Sequence, residues 1–271
     1  MEIGTNFTNL ESYNANMAKG MEDKLWFVNH LTERTSYVFV DFGCADGTLI
    51  NILSQLPGFG NNHKYIGYDI LEQMIDLAKT KYNWNPAVNV SFTSDWDKIT
   101  KRLCKMRERK ILILSSVIHE VYSYGNEDDI NLFWNKVLTT GFDYIFIRDM
   151  MYSVDLIRCT KSGDIGKIYS GAISTDQFKS FEERFGEIGN QKNFVHLLLK
   201  YRWKINWNRE VNENYFPIDI DTFLDKFKEK YNINYLERFR VPFLEECWER
   251  DFHIEIEDYT HIKLFLEKKK C

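Results

Sequence analysis

The sequence predicts an α/β fold: a mostly parallel sheet with an N-terminal helical lid, a helical insertion and a C-terminal antiparallel hairpin. Three observations carry this. Five short runs, Tyr37–Asp41, Lys64–Asp69, Val88–Thr93, Lys110–Ser115 and Asp143–Ile147, are rich in β-branched and aromatic residues and apolar nearly throughout. Strands covered on both faces read this way. Helix-like segments alternate with them at Thr48–Gln55, Leu71–Tyr82, Trp96–Met106 and Asp128–Leu138, which implies right-handed βαβ crossovers and a parallel sheet. After Ile147 the alternation stops, and about seventy residues pass before the next amphipathic pattern, Ile218–Tyr231, with Pro217 and Asp219 as start signals.

Ahead of the first strand, Leu10–Thr32 is helical in pattern and is expected to cover an edge or the mouth of a site. At the other end, 248–256 and 260–267 alternate in polarity across an acidic turn at Glu257 and Asp258, as in a hairpin at the sheet edge. The expected parts are a lid over 1–36, a ligand-binding core over 37–150, an insertion covering the substrate over 151–217, and completion of the core over 218–271.

Composition narrows the class. A chain of 271 residues with 44% hydrophobic and 15% aromatic residues, four prolines and 14 glycines builds a substantial core and is neither disordered nor fibrous. Apolar runs such as Ile111–Leu114 fall far short of the roughly 18 residues of a membrane span. Because no basic segment leads into an apolar block at the N-terminus, no secretory signal is read and the expected compartment is the cytoplasm. Five widely spaced cysteines without a CxxC pair indicate neither a disulfide framework nor a zinc site. The net charge of −5 excludes a uniformly basic nucleic-acid protein, yet Lys98–Lys110 holds seven basic residues against Glu108 alone, and Asn190–Arg209 holds five and no acid. Ile99, Leu103 and Met106 recur at helical spacing, so the first basic run reads as the solvated face of a packed helix, with a phosphate-attracting face as the alternative.

The strongest local signal is Val38–Leu49, ValPheValAspPheGlyCysAlaAspGlyThrLeu. An acid ends a strand and Gly43 and Gly47 flank the turn that opens a helix, so backbone comes close to a ligand while the helix start offers free amides to an anionic group. The dinucleotide pattern G-x-G-x-x-G is not matched, which disfavours a pyrophosphate. Asp41 and Asp46 point instead to a ligand with a cationic part. Asp69 ends the second strand, 28 residues after Asp41, where an acid accepts hydrogen bonds from both hydroxyls of a ribose. Ser94, Asp95 and Trp96 close the third strand, where an acid and an aromatic suit an adenine amine and ring.

In these residues, above all AspPheGlyCysAlaAspGly at 41–47, the sequence resembles the class I S-adenosylmethionine (SAM) dependent methyltransferases over about Tyr37–Tyr152. The resemblance implies a Rossmann-like fold, SAM as cofactor and S-adenosyl-L-homocysteine as product. It also implies that Gly43 and Gly47 form the loop under the methionine part, that Asp69 holds the ribose, that Asp95 and Trp96 flank the adenine, and that Ser115 faces the methionine end, with Asp41, Cys44, Ala45, Asp46, Ile70 and Ser94 as further cofactor-binding candidates. Tyr13, Met17 and Lys24 are similar to lid positions in such enzymes.

The segment after the fourth strand, SerSerValIleHisGluValTyrSerTyrGly, stands where an open parallel sheet has its crevice. His119 and Glu120 are the candidate catalytic groups, either able to take a proton from an oxygen or nitrogen acceptor, and Tyr122, Asp149 and Tyr152 are candidates to touch that acceptor. No AsnProProTyr-like motif follows, no Lys-Asp-Lys-Glu tetrad is assigned, and no cysteine ends the fourth strand; these disfavour amino methylation of DNA bases and C5-pyrimidine chemistry. In 194–209 basic groups alternate with Tyr201, Trp203 and Trp207, as on a nucleic-acid surface, while Phe194, Leu197, Leu198, Tyr201 and Ile205 also keep the spacing of a packed helix. The expected function is methyl transfer to a small molecule under the lid and insertion. The alternatives are an RNA methyltransferase using 98–110 and 190–209, and a non-catalytic SAM-binding module.

Overall fold

The computed structural model describes residues 20–32, 35–169 and 171–270. Seven strands, β1 (Tyr37–Phe42), β2 (Lys64–Tyr68), β3 (Asn89–Thr93), β4 (Arg109–Ser115), β5 (Tyr144–Met150), β6 (Tyr231–Phe239) and β7 (His261–Lys268), form a sheet in the order β3-β2-β1-β4-β5-β7-β6. The first five run parallel, and β7 runs antiparallel to both β5 and β6. Side-chain alternation explains why these strands are apolar throughout. Val38, Val40 and Phe42 enter a core on one face with Leu112, Leu114, Ile145 and Ile147, while Tyr37 and Phe39 enter the core on the other face with Ile111, Ile113 and Phe146.

The crossovers are α2 (Thr48–Gln55), α3 (Glu72–Lys81), α4 (Trp96–Leu103), α5 (Ile118–Tyr124) and α6 (Glu127–Thr139), preceded by a single turn, α1 (Met21–Lys24), and a 3-10 segment, Trp26–His30. Starts follow local chemistry: Asp95 accepts from the Lys98 amide ahead of α4, and Asn126 with Asp129 forms a capping box on α6. Strand order reverses between β1 and β4, so the loops that follow them part and leave a crevice.

The inserted stretch is helical, with α7 (Ser162–Tyr169), α8 (Thr175–Phe185), α9 (Gln191–Lys200) and a single turn, α10 (Trp207–Glu210). It has a core of its own, built on Phe181, Phe194, Leu198 and Phe216, which also takes in Trp248 and Phe252 from nearer the C-terminus. No described helix is long and apolar enough to cross a membrane.

Two expectations need correction. The helix expected over Ile218–Tyr231 is only α11 (Ile220–Asp225), capped by Asp219. Tyr231 starts β6, pairing with Lys268, and its hydroxyl donates to the Phe142 carbonyl. The antiparallel pair at the sheet edge exists, but its first strand is β6 and not 248–256. Residues 248–252 belong to α12 (Pro242–Phe252), whose Cys247, Trp248 and Phe252 are buried. Trp248 Nε1 donates to the Leu198 carbonyl on α9 at 2.9 Å, so tertiary packing overrides a local alternation. Of the expected lid helix, Tyr13 and Met17 lie outside the described residues.

Gly67 in β2 marks how closely β2 meets the neighbouring Phe92 of β3 and the loop after β1. A Cβ there would lie 2.4 Å from Phe92 Cδ1 and 2.8 Å from Cys44 Sγ. Gly67→Ala is expected to cost about 1–3 kcal/mol of stability through overpacking, and urea denaturation showing an unchanged midpoint would refute this.

Candidate functional site

A cavity of about 210 Å³ opens over the carboxyl ends of β1, β2 and β4, floored by the loop Gly43–Gly47. The loop depends on left-handed backbone at Gly43 (φ 78°), Gly47 (φ 77°) and, unusually for a residue with a side chain, Ala45 (φ 45°). Neighbouring strands hold it: the Gly43 and Cys44 amides donate to the Tyr68 carbonyl at 2.8 and 2.9 Å, and the Ala45 amide donates to Asp69 Oδ2 at 3.0 Å. Asp69 Oδ1 accepts from the Leu71 amide at 3.0 Å. Both carboxylate oxygens are thereby fixed and keep acceptor capacity at the cavity wall. Burial raises the Asp69 pKa, against the pull of those two amides.

Apolar groups of the lining are Ile70, Leu71, Met74, Leu132 and Phe133. Ile70 and Leu132 are 46% and 51% exposed. Charged groups also line it: Lys24, Asp41, Glu120 and Arg209, and Asp129 and Lys136 from the same helix as Leu132, with Ser115, Ser116 and Tyr124. Asp41 is 4% exposed and its carboxylate accepts no hydrogen bond among the described residues. Burial lifts its pKa to about 7, with Lys24 opposing the rise and Asp69 adding to it. Ser115 Oγ is likewise buried without a hydrogen-bond partner among the described residues, and Ser116 sits at φ 56°, local strain of a kind that gathers at functional sites.

Asp41, Gly43, Cys44, Ala45, Asp46, Asp69, Ile70, Ser115 and Glu120 thus line one cavity. Other expected residues do not. Asp46, although part of the lining, is not open to a cationic ligand, because it pairs with Lys81 and accepts from the Thr48 hydroxyl. Gly47 lies below, where a Cβ would meet Phe92 and Ala78. Ser94 and Asp95 stand outside the lining, Ser94 donating to Glu72 and Asp95 capping α4, while Trp96 is buried edge-on against Tyr68 and beside Phe42. Tyr122 accepts from Trp134 Nε1, and Tyr152 lies under Lys192, 4.0 Å from its ring centre.

His119 also turns away from the cavity, into a buried charge network behind it. Its Nδ1 donates to Asp149 Oδ1 at 2.7 Å and its Nε2 stands 3.7 Å from Glu213 Oε2. Burial works against its charge, yet Asp149 and then Glu213 hold its pKa up at about 10. Its Nδ1 is committed to Asp149 and its Nε2 faces Glu213, so it is not a free base at the cavity. Arg209 continues the network with Nη2 at 2.8 Å from both Glu120 Oε1 and Glu213 Oε1, and Tyr124 donates to Glu213 at 3.2 Å. Glu120 has its pKa raised by burial and by Glu213, with Arg209 opposing. Lys200 is buried and donates to the carbonyls of Glu210 and Glu213. Two of the five basic groups of 190–209, Lys200 and Arg209, thus point inward, in line with the packed-helix reading of that segment. His119, Glu120 and Glu213 bring donor atoms within 4.8 Å of one another, as a divalent ion would need, but the Arg209 guanidinium already holds two of the three carboxylate-bearing or imidazole groups.

Glu213 was missed from sequence, and Arg209 was read only as one of the basic groups that an RNA face would need. Glu213 lies beyond the helical turn Trp207–Glu210, and nothing local says that the pair faces inward. Lys24, read only as a lid position, lines the cavity from α1.

No family model and no curated protein matches this chain in sequence. Solved structures do match its fold. A SAM-dependent methyltransferase from Anabaena variabilis ATCC 29413 is 12% identical over 97% of this chain and 87% of its own, with a TM-score of 0.50. YcgJ from Bacillus subtilis is 10% identical over 92% and 99%, at 0.51. The small RNA methyltransferase HEN1 is 15% identical over 92% of this chain but 26% of its own, at 0.51. The chain has the class I SAM methyltransferase fold.

His119→Ala should cost about 3–5 kcal/mol, since it leaves the buried Asp149 with backbone amides but no cation. Because the folded imidazole titrates above its ordinary value of 6.5, near 10, its contribution is complete below about 6.5 and is lost as pH rises through 10. Denaturation midpoints from pH 6 to 10 should fall more steeply in the wild type than in the variant; parallel profiles would contradict the pairing.

Proposed function

We propose that this protein is a SAM-dependent methyltransferase acting on an oxygen or nitrogen of a small molecule enclosed between the core and the insertion. One observation carries the reading: a cavity at the strand-order reversal, floored by the Gly43–Gly47 loop, with the fixed carboxylate of Asp69 at its wall. The residues present fit the cofactor. Asp69 has acceptor capacity for a ribose diol, Ile70, Leu132 and Phe133 offer apolar surface for a purine, and Asp41 offers an unsatisfied carboxylate to an ammonium or sulfonium. When bound, the cofactor supplies a methyl group on a positively charged sulfur.

What the chain itself contributes is alignment, charge and exclusion of water. Glu120, oriented by Arg209, is the lining group placed to accept or steer the acceptor's proton. His119 acts through the network that holds Arg209 and not at the acceptor. An RNA acceptor would require Lys200, Arg202, Lys204 and Arg209 to share an outer face, and the inward commitment of Lys200 and Arg209 favours the small acceptor.

Asp69→Ala is expected to weaken S-adenosylhomocysteine binding by about 100-fold, as two hydrogen bonds to a charged acceptor are lost, with an unchanged circular dichroism spectrum. Equal affinity by calorimetry would remove the ribose assignment. Transfer of labelled methyl from SAM into a cell extract fractionated into small molecules, RNA and protein tests the acceptor class. Label confined to nuclease-sensitive RNA would overturn the small-molecule reading, and no label in any fraction would favour a non-catalytic SAM-binding module.

A further inference from the structure

A second cavity, of about 420 Å³, shares no lining residue with the first. It lies between α2 and the loops that lead into β2 and β3, and its wall has an unusual composition. Five carboxamides, Asn51, Gln55, Asn61, Asn83 and Asn85, share it with one indole, Trp84. Among the described residues the lining carries no charged side chain. Gly60 leaves part of the wall open, since a Cβ there would meet only the Ser54 carbonyl, at 3.9 Å.

Two of the carboxamides are set in advance. Asn51 Oδ1 accepts from Gln55 Nε2 at 2.9 Å, one turn further along α2, and Asn85 Oδ1 accepts from the Ala87 amide at 3.0 Å in an Asx turn. With their oxygens engaged, both keep Nδ2 donors for a ligand. The side chains of Asn61 and Asn83 make no hydrogen bond among the described residues and keep donors and acceptor alike. The supporting loops are anchored. Buried His63 accepts at Nδ1 from the Tyr37 amide at 3.1 Å and donates from Nε2 to the Gly58 carbonyl at 3.0 Å. Trp84 Nε1 donates to the Ala78 carbonyl at 2.9 Å, and the ring packs 5.1 Å from Phe92. With its nitrogen engaged, the indole offers the cavity apolar surface alone.

Neutral amides select against phosphates, carboxylates and ammonium groups, because each would enter without an opposite charge. A nucleobase carries its hydrogen-bonding atoms along one or two edges. A sugar ring carries hydroxyls, each donor and acceptor at once, around its whole perimeter and an apolar C–H face between them. Carboxamides spread around one indole match the sugar. We propose that this second cavity binds a neutral sugar ring, stacked on Trp84 and held at its rim by carboxamide hydrogen bonds. Its lining is separate from the first cavity, so binding there is independent of the SAM reading.

Saturation-transfer NMR on the full chain tests this, with glucose, galactose, mannose and N-acetylglucosamine as probes at about 10 mM each and adenosine for comparison. At least one of the sugars should bind in the millimolar range. Asn51→Asp keeps the contact from Gln55 and replaces the donor by an acceptor, and Trp84→Leu removes the flat apolar face; each should weaken that sugar roughly tenfold or more. Asn51→Asp leaves every backbone hydrogen bond in place, so it decides the outcome should Trp84→Leu lower the urea midpoint. Silence from all four sugars with the wild type, or binding unchanged in Asn51→Asp, would overturn the assignment. An adenosine signal that disappears in Trp84→Leu while the sugars stay silent would also overturn it, giving the cavity to a nucleobase.

Discussion

The carboxylate of Asp149 is the fixed point around which the wall of the cavity is built. It is fully buried at the end of β5 and accepts from the amides of Val117 and Ile118 at 2.9 and 2.7 Å, where α5 begins, and from the amide of Met150. An anion at a helix start satisfies orphan donors and meets the positive end of the helix. Its remaining capacity goes to His119, and from there charge alternates outward through Glu213 and Arg209 to Glu120 at the cavity. Each member is tolerable inside the protein only because the next one is present.

This chain of pairs also explains why the inserted stretch matters. Arg209 and Glu213 come from the segment after α9, yet their partners Glu120 and His119 belong to the core. The insertion is joined to the cavity wall by buried charges and not merely laid over it. That arrangement trades stability for a defined geometry, since apolar packing at the same place would hold the two parts together without fixing where a carboxylate points.

Much of the fold was legible because parallel strands covered on both faces have little choice of residue: all five were found within a few residues, and Thr48–Gln55 was read to its ends. The cavity floor was legible for a similar reason, because Gly43, Gly47 and Asp69 answer to backbone geometry and strand ends, which are local. Errors arose where the deciding contact is distant. Residues 248–252 alternate like a strand but are drawn into a helix by Leu198, fifty positions away, and His119 reads as a base until Asp149 and Glu213 are seen on its two nitrogens. Asp95 and Trp96 stand at the expected strand end, but the first is spent as a helix cap and the second as core.

The order of the sheet has a consequence for assembly. β7, the last strand in the sequence, lies between β5 and β6, and its Lys263 is one of the two cations that clamp Asp23. A chain emerging from synthesis can form the parallel half of its sheet early, but Asp23, beside Lys24, then pairs with Arg148 and lacks Lys263 until the final strand slots in. The cavity is therefore finished by the two extremes of the described chain meeting each other, so a partly made molecule presents an unfinished pocket.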